Sequence, residues 1–104
     1  MKKELIKLNT REGDISVMAY KVLPGLYVHK LYRGKGEFSD GNYWTITHKS
    51  GYSIKNFICT PMRLKDVVME VEKIAHLDWS KDFLLMSFNE KQRYRHALHE
   101  IHGF

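Results

Sequence analysis

Residues 42–58 read NYWTITHKSGYSIKNFI, and this stretch decides the predicted fold. Two segments rich in aromatic and β-branched residues, Tyr43–His48 and Tyr52–Ile58, flank Lys49, Ser50 and Gly51. A three-residue loop that ends in glycine is typical of a β-hairpin, because its last residue needs a positive φ. The pairs that this loop predicts are His48 with Tyr52, Ile46 with Ile54 and Trp44 with Asn56.

The alternation of side chains along the hairpin predicts two different faces. The face expected in the core carries Trp44, Ile46, Ile54 and Ile58. The face expected to be partly exposed carries Tyr43, Thr45, Thr47, Ser53, Lys55 and Phe57. A sheet with one covered face and one partly open face follows from this pattern.

The segments before this hairpin add further strands. Residues 15–32, ISVMAYKVLPGLYVHKLY, predict two strands around Pro24 and Gly25, a pair that favours a type II turn. Residues 33–42, RGKGEFSDGN, are expected to form a mobile loop between the hairpins. The residues around Leu5 to Leu8 add an edge strand or fray.

The helical half begins at residues 60–77, TPMRLKDVVMEVEKIAHL. Thr60 suits the N-cap and Pro61 the first helical position. Apolar residues then recur at helical spacing and predict one buried stripe, which consists of Leu64, Val67, Val68, Val71, Ile74 and Ala75.

A second helix is predicted from residues 87–90, SFNE, where Ser87 and Glu90 form a capping box, towards Gly103. Its predicted buried stripe is Tyr94, Ala97, Leu98 and Ile101. Residues 78–86 between the helices, DWSKDFLLM, predict a short helical turn with Trp79 and Phe83 packed inward.

These elements predict one α+β domain over residues 1–104, with a β-rich basic half at 1–59 and a helical half at 60–104. An antiparallel sheet of about four strands would carry the two main C-terminal helices on one face. The single cysteine, Cys59, excludes an internal disulfide, and no apolar run approaches the ~20 residues of a membrane span. We therefore expect a cytoplasmic protein without a cofactor.

Histidines in the last helix raise the question of a metal site. His96, His99 and His102 lie three residues apart, with Glu100 among them. Two histidines at this spacing can chelate a metal, but the pattern is not HExxH, and Arg93 beside it would oppose a cation. We interpret the cluster as a polar helix face and expect no metal.

Other candidate chemistry is sparse. His48 fits a hydrogen bond across its hairpin better than acid–base catalysis, and Cys59 fits a small buried residue better than a nucleophile. The loop at residues 33–42 lacks the GK[ST] of a P-loop. No serine elbow or paired carboxylate motif is present, so no enzyme is expected.

Charge and aromatic content suggest nucleic acid as a partner. The net charge is +5, and residues 1–60 hold 10 Lys/Arg against 5 Asp/Glu, whereas residues 61–104 hold 7 of each. Aromatic side chains that stack bases within a basic groove commonly bind single strands. The open face of the sheet is the expected contact surface, with Lys30, Arg33, Lys35, Tyr43, Lys49 and Lys55 as candidate contacts.

A protein-binding accessory or inhibitor is the main alternative. It would act through an exposed aromatic patch or a sheet edge, and an exposed apolar patch in the structure would favour it. An enzyme ranks third, and a concave pocket enclosing His48 with another titratable group would favour it.

The stretch YWTITHKSGYSIKNF, followed by a helix and then LDW, resembles a pattern found in small uncharacterised proteins of phages and other mobile elements. The resemblance covers residues 43–79 and is carried by Trp44, Thr47, His48, Gly51 and Trp79. It implies an accessory role inside a bacterial cell, and it implies no functional residues.

Overall fold

The computed structural model describes residues 2–58 and 61–101 and has the predicted α+β class. The strands are β1 (Lys3–Thr10), β2 (Gly13–Leu23), β3 (Leu26–Lys30), β4 (Tyr32–Gly34), β5 (Glu37–Phe38), β6 (Trp44–His48) and β7 (Ser53–Phe57). The helices are α1 (Leu64–Glu72) and α2 (Phe88–Leu98), with a 3₁₀ turn at Phe83–Leu85 between them. Neither of these helices is long and apolar enough to cross a membrane.

The main sheet is an antiparallel meander in the order β1-β2-β3-β6-β7. It has five strands rather than about four, because the N-terminal residues form a full edge strand instead of fraying. β1 pairs with β2 from Lys3, opposite Tyr20, to Thr10, opposite Gly13. Only the C-terminal part of β2 also pairs with β3, so the rest of the β1–β2 hairpin extends beyond the sheet.

That extended hairpin folds back over one face of the sheet. The amide of Asn9 donates to the carbonyl of Gly51 in the β6–β7 turn, at 2.9 Å. A Cβ on Gly51 would lie 2.9 Å from Oδ1 of Asn9 and 3.1 Å from the carbonyl oxygen of Lys7. The two hairpins therefore approach each other closely at Gly51, where a larger residue would require the Asn9 side chain to move. The φ of +98° at Gly51 also matches the predicted turn and favours glycine.

The expectation of an open second face is therefore wrong. Leu8 and Ala19 of the β1–β2 hairpin are buried, as are Thr45, Thr47 and His29 on the strands. The helices cover the opposite face, where Val28, Trp44 and Ile46 contribute to the main core. Both faces of the sheet are covered, because the long hairpin supplies a second layer that strand periodicity alone does not reveal.

The register of the central hairpin also differs from the prediction. Thr47 pairs with Ser53 as the turn requires, but Ile46 pairs with Lys55 and Trp44 with Phe57. A β-bulge adds one residue to β7 at this point and exchanges the two faces beyond it. Phe57, expected at the surface, is therefore in the core, while Ile58, expected in the core, is 45% exposed.

The expected loop at residues 33–42 contains a small hairpin, β4–β5. The carboxylate of Glu12, in the β1–β2 turn, accepts hydrogen bonds from the Tyr32 hydroxyl at 2.9 Å and from the Lys35 amide at 2.7 Å. These bonds hold the hairpin against the tip of β1–β2 and lower the pKa of Glu12, the Lys35 amide having the larger effect. The turn at Pro24 and Gly25 has the expected form, with φ of +87° at Gly25.

Helix α1 begins later than predicted. Met62 donates its amide to the carbonyl of Asn42 and accepts a hydrogen bond from the indole of Trp44, both at 2.8 Å. In a helix that included Pro61, the carbonyl of Met62 would accept from the amide of Asp66, but it accepts from Trp44, and that amide donates to Arg63. Pro61 therefore precedes the helix, Arg63 is the N-cap, and Thr60 and Cys59 lie outside the described residues.

Helix α1 also ends earlier than predicted, at Glu72, so Ala75, expected in the buried stripe, lies in a turn and is exposed. The capping box of α2 and the inward packing of Trp79 and Phe83 are as predicted, while Gly103 and His102 lie outside the described residues. The hydroxyl of Ser87 accepts from the amide of Glu90 at the start of α2, as the capping box requires. Trp79 is buried, and Phe83 packs against the core. The buried side chains of this half are Val67, Val71, Ile74, Trp79, Met86, Tyr94, Ala97 and Ile101.

Candidate binding sites on the two sides of the sheet

An apolar groove lies between β7, the 3₁₀ turn and α2, with a volume of about 330 Å³. Its lining residues are Ile54, Trp79, Phe83, Leu84, Met86, Lys91, Tyr94, Arg95 and Leu98. The segment that forms one wall of the groove, residues 83–88, exposes several large apolar side chains to solvent. Leu84 is 86% exposed, Leu85 84% and Phe88 71%. Three large apolar side chains within five residues of chain therefore face solvent beside an apolar groove, and we call these three residues the apolar patch.

Two cations border this groove. Lys91 and Arg95 lie one helical turn apart on α2 and line the groove. Neither side chain forms an ion pair within residues 2–58 and 61–101. Glu90, the nearest acidic residue in sequence, instead pairs with Lys81 at 3.3 Å. The groove thus combines an apolar floor with a positively charged border.

His48 lies behind this groove rather than in it. Its ring stacks on Phe83, with 4.3 Å between centroids, and its side chain is buried. Nε2 donates to the carbonyl of Trp79 at 2.9 Å, which leaves Nδ1 to accept from the amide of Ser50 at 3.1 Å. Both ring nitrogens are therefore engaged. Neither the apolar groove nor the cleft described below has His48 among its lining residues.

A second cleft of about 370 Å³ lies on the opposite side of the sheet, beneath the tip of the β1–β2 hairpin. It is mostly polar. Its lining residues are Leu8, Asn9, Thr10, Arg11, Glu12, His29, Leu31, Tyr32, Arg33, Gly34, Thr45, Ser53 and Asn56. The cleft exists only because the hairpin is folded back over the sheet, so residues distant in sequence form its floor and its walls.

The floor of the polar cleft contains a hydrogen-bonded chain centred on His29. Nδ1 of His29 donates to the carbonyl of Lys30 at 2.7 Å, because a carbonyl can only accept. Nε2 must then accept from the hydroxyl of Thr47, also at 2.7 Å. Thr45 donates its hydroxyl to Oδ1 of Asn56 at 2.8 Å. Burial of His29 lowers the pKa of its ring and so favours the neutral form that this arrangement of hydrogen bonds describes.

Because His29 and His48 are buried, we expect the stability of the fold to decrease at acidic pH. Burial lowers the pKa of both His29 and His48 below the ordinary value of 6.5, although their hydrogen bonds to carbonyls oppose this. The unfolded chain then binds protons that the folded chain does not, so stability is lost as the pH falls below 6.5. Each histidine contributes a slope of at most about 1.4 kcal/mol per pH unit.

Urea unfolding at a series of pH values above and below 6.5 measures this dependence, and His48→Gln should flatten it. An identical pH dependence in wild type and in a His29→Gln, His48→Gln double variant would show that other groups cause it.

The structure brings together only some of the candidate nucleic-acid contacts. Arg33 and Lys35 lie exposed on the β4–β5 hairpin, next to the polar cleft. Lys30 instead donates to the carbonyl of Gly41 and to Asn42, and lies 4.6 Å from the ring centroid of Trp44.

The other three candidates are spread along the sheet. Tyr43 precedes β6 and Lys49 follows it, which places them about 20 Å apart at roughly 3.3 Å per residue. Lys55 is half-buried on β7. The six residues therefore do not form one basic surface. In the helical half, His96 and His99 are exposed on α2, with 6.0 Å between ring centroids.

Comparison with known proteins gave no match to a family model, to a curated protein or to a solved structure.

The apolar patch and the polar cleft are the two sites that were not predicted from the sequence. A signal for the first is present in residues 83–88, FLLMSF, since one short helical turn cannot direct so many apolar side chains into a core. No local signal marks Arg11, His29 and Asn56 as neighbours.

Proposed function

We propose that the protein is a protein-binding accessory whose apolar groove docks an acidic amphipathic segment of another protein. The observation that carries the proposal is the apolar patch, Leu84, Leu85 and Phe88, beside a groove bordered by Lys91 and Arg95. An amphipathic helix that presents apolar side chains to a groove is a common mode of peptide recognition. The accessory role in a bacterial cell implied by the hairpin resemblance remains a prediction.

The apolar contacts and the ion pairs of this groove are expected to contribute different amounts of binding free energy. Burying one Leu or Phe side chain contributes about 1.5–3 kcal/mol, so covering the three side chains of the apolar patch supplies most of the affinity. An ion pair at an exposed border contributes about 0–1 kcal/mol. Lys91 and Arg95 therefore act mainly on orientation and on the choice of partner, by favouring segments that carry Asp or Glu beside their apolar residues.

Selection from a library of displayed helical peptides against the full chain tests this proposal. We expect the selected peptides to share apolar residues at helical spacing together with Asp or Glu. Replacing Leu84 and Leu85 by Ser should weaken their binding at least tenfold, because each change removes apolar burial, while stability changes little at such exposed positions. Lys91→Glu with Arg95→Glu should weaken acidic peptides and favour basic ones.

Met69→Ser is the matched control, because Met69 is also a large exposed apolar residue, at 62%, but lies on α1 outside the groove. Selected peptides without acidic residues would contradict the chemistry assigned to the partner. Equal binding by wild type and by the Leu84, Leu85 variant would contradict the proposed surface.

Nucleic-acid binding is the second candidate, and one arrangement favours it. Arg33 and Lys35 lie on an exposed hairpin at the mouth of a cleft that Arg11 also lines. A backbone phosphate can contact such a group of cations without any base-specific reading. The absence of a single surface for the six candidate contacts makes this proposal secondary to peptide docking.

Replacing Arg33, Lys35 and Lys55 together by Gln should weaken binding of any oligonucleotide sequence and flatten its salt dependence, because phosphate contacts release counterions. Fluorescence anisotropy of labelled single-stranded and duplex DNA at low and physiological salt measures both effects, with single strands expected to bind more tightly. Unchanged affinity in the triple variant would remove these three residues as contacts.

A further inference from the structure

We propose that the polar cleft is a second, independent binding site, for a small molecule that carries a phosphate group. Two exposed arginines line this cleft from different hairpins, Arg11 from the β1–β2 turn and Arg33 from β4. Neither donates a hydrogen bond or forms an ion pair with any other residue in the described ranges 2–58 and 61–101. Arginine matches phosphate oxygens with two parallel N–H groups, so a pair of free arginines at one cleft points to this ligand chemistry.

The acidic residue of the cleft offsets only part of this charge. The carboxylate of Glu12 accepts from the Tyr32 hydroxyl and the Lys35 amide, and these bonds hold the two hairpins together. Arg11 also interacts electrostatically with Glu12 and contributes to lowering its pKa. Two arginines against one carboxylate leave the lining of the cleft with a net positive charge.

The remaining lining residues can contact the rest of such a molecule. Oδ1 of Asn56 accepts from Thr45, so the NH₂ of Asn56 is the group left to donate to a ligand. Leu8 and Leu31 supply apolar surface. A volume of about 370 Å³ lies at the lower end of the range in which small ligands bind, about 300–1,000 Å³. We therefore expect a ligand of about the size of a nucleoside monophosphate or a sugar phosphate.

Titration of the full chain with inorganic phosphate and with adenosine monophosphate, followed by amide NMR shifts, tests the proposal. We expect adenosine monophosphate to shift the signals of residues 8–12 and 31–34, and inorganic phosphate to compete with it. Arg11→Gln with Arg33→Gln should weaken binding at least tenfold. The control, Lys65→Gln with Arg93→Gln, removes the same charge from exposed positions outside the cleft and should change affinity less than twofold.

Failure of either probe to shift these signals would overturn the proposal, as would unchanged affinity in the Arg11, Arg33 variant or equal losses in the control. Binding of a short oligonucleotide in the cleft without binding of the two small probes would also overturn it and would support the nucleic-acid candidate. A Leu84→Ser, Leu85→Ser variant should still bind adenosine monophosphate with wild-type affinity, so failure of the peptide-docking proposal leaves this one intact.

Discussion

Gly25→Ala should destabilise the fold by about 2–5 kcal/mol, one of the two largest effects that the structure predicts. A Cβ on Gly25 would lie 2.6 Å from the carbonyl carbon of Trp79 and 2.8 Å from Cα of Ser80, with the Trp79 oxygen closer still. These are backbone atoms, so rotation of a side chain cannot relieve the overlap. The positive φ of +87° adds roughly 1–2 kcal/mol for a non-glycine residue, and relief of the overlap adds about 1–3 kcal/mol.

The midpoint of urea unfolding measures this loss, and Gly36→Ala is its control. Gly36 has a similar φ of +76°, and a Cβ there would meet nothing within 4 Å. The control therefore carries the cost of the backbone conformation without the overlap. A domain of this size has about 5–15 kcal/mol of total stability, so Gly25→Ala removes a large share of it. Equal midpoints for the two variants would show that the β2–β3 turn can move away from Trp79.

Trp79→Ala is the second substitution with a large expected effect, a decrease of about 4 kcal/mol or more in the free energy of unfolding. The indole packs against Tyr94, with ring centroids 4.8 Å apart, and donates to the carbonyl of Ile74 at 2.7 Å. Removing a buried Trp ring costs about 3–5 kcal/mol, and the carbonyl of Ile74 then loses its donor. Thermal and urea unfolding both measure the change.

Trp79→Phe separates the two contributions. It keeps most of the ring packing but removes the N–H donor, so we expect a loss of about 1–3 kcal/mol. If alanine and phenylalanine at this position gave the same stability, ring packing would contribute little. Because Trp79 also lines the apolar groove, neither variant is suitable for testing peptide docking.

We expect substitutions of Gly25 and Trp79 to reduce stability strongly, because the β half and the helical half are in contact at these two residues. The carbonyl of Trp79 contacts the β2–β3 turn at Gly25 and accepts from His48 at the end of β6. The Lys49 amide donates to the carbonyl of Gly25 at 2.9 Å. One peptide group after α1 thus holds two turns of the sheet, so a small change there disturbs both halves.

Several residues of the central hairpin have structural contacts of the same kind. Trp44 binds the Met62 carbonyl, Thr47 binds His29, and His48 binds Trp79. Gly51 allows the β1–β2 hairpin to approach the β6–β7 turn. These residues therefore hold the fold together, while the candidate binding residues Leu84, Leu85, Arg11 and Arg33 lie outside the central hairpin.

The sequence by itself determined the features that depend on neighbours along the chain. The α+β class, the central hairpin with its glycine turn, the Pro24–Gly25 turn and the Ser87 cap follow from side-chain periodicity and from local backbone preferences. Each needs only a few consecutive residues, so the pattern is present in the sequence itself.

The second cover of the sheet, the bulge in β7, the start of α1 and the polar cleft could be known only from the tertiary structure. These features depend on contacts between residues far apart in sequence, such as Asn9 with Gly51 and Asn42 with Met62. Strand periodicity says which side chains share a face, but not which distant segment will cover that face. Whether a polar residue such as Arg11 or His29 faces solvent, a core or a cleft is therefore settled only when the chain folds.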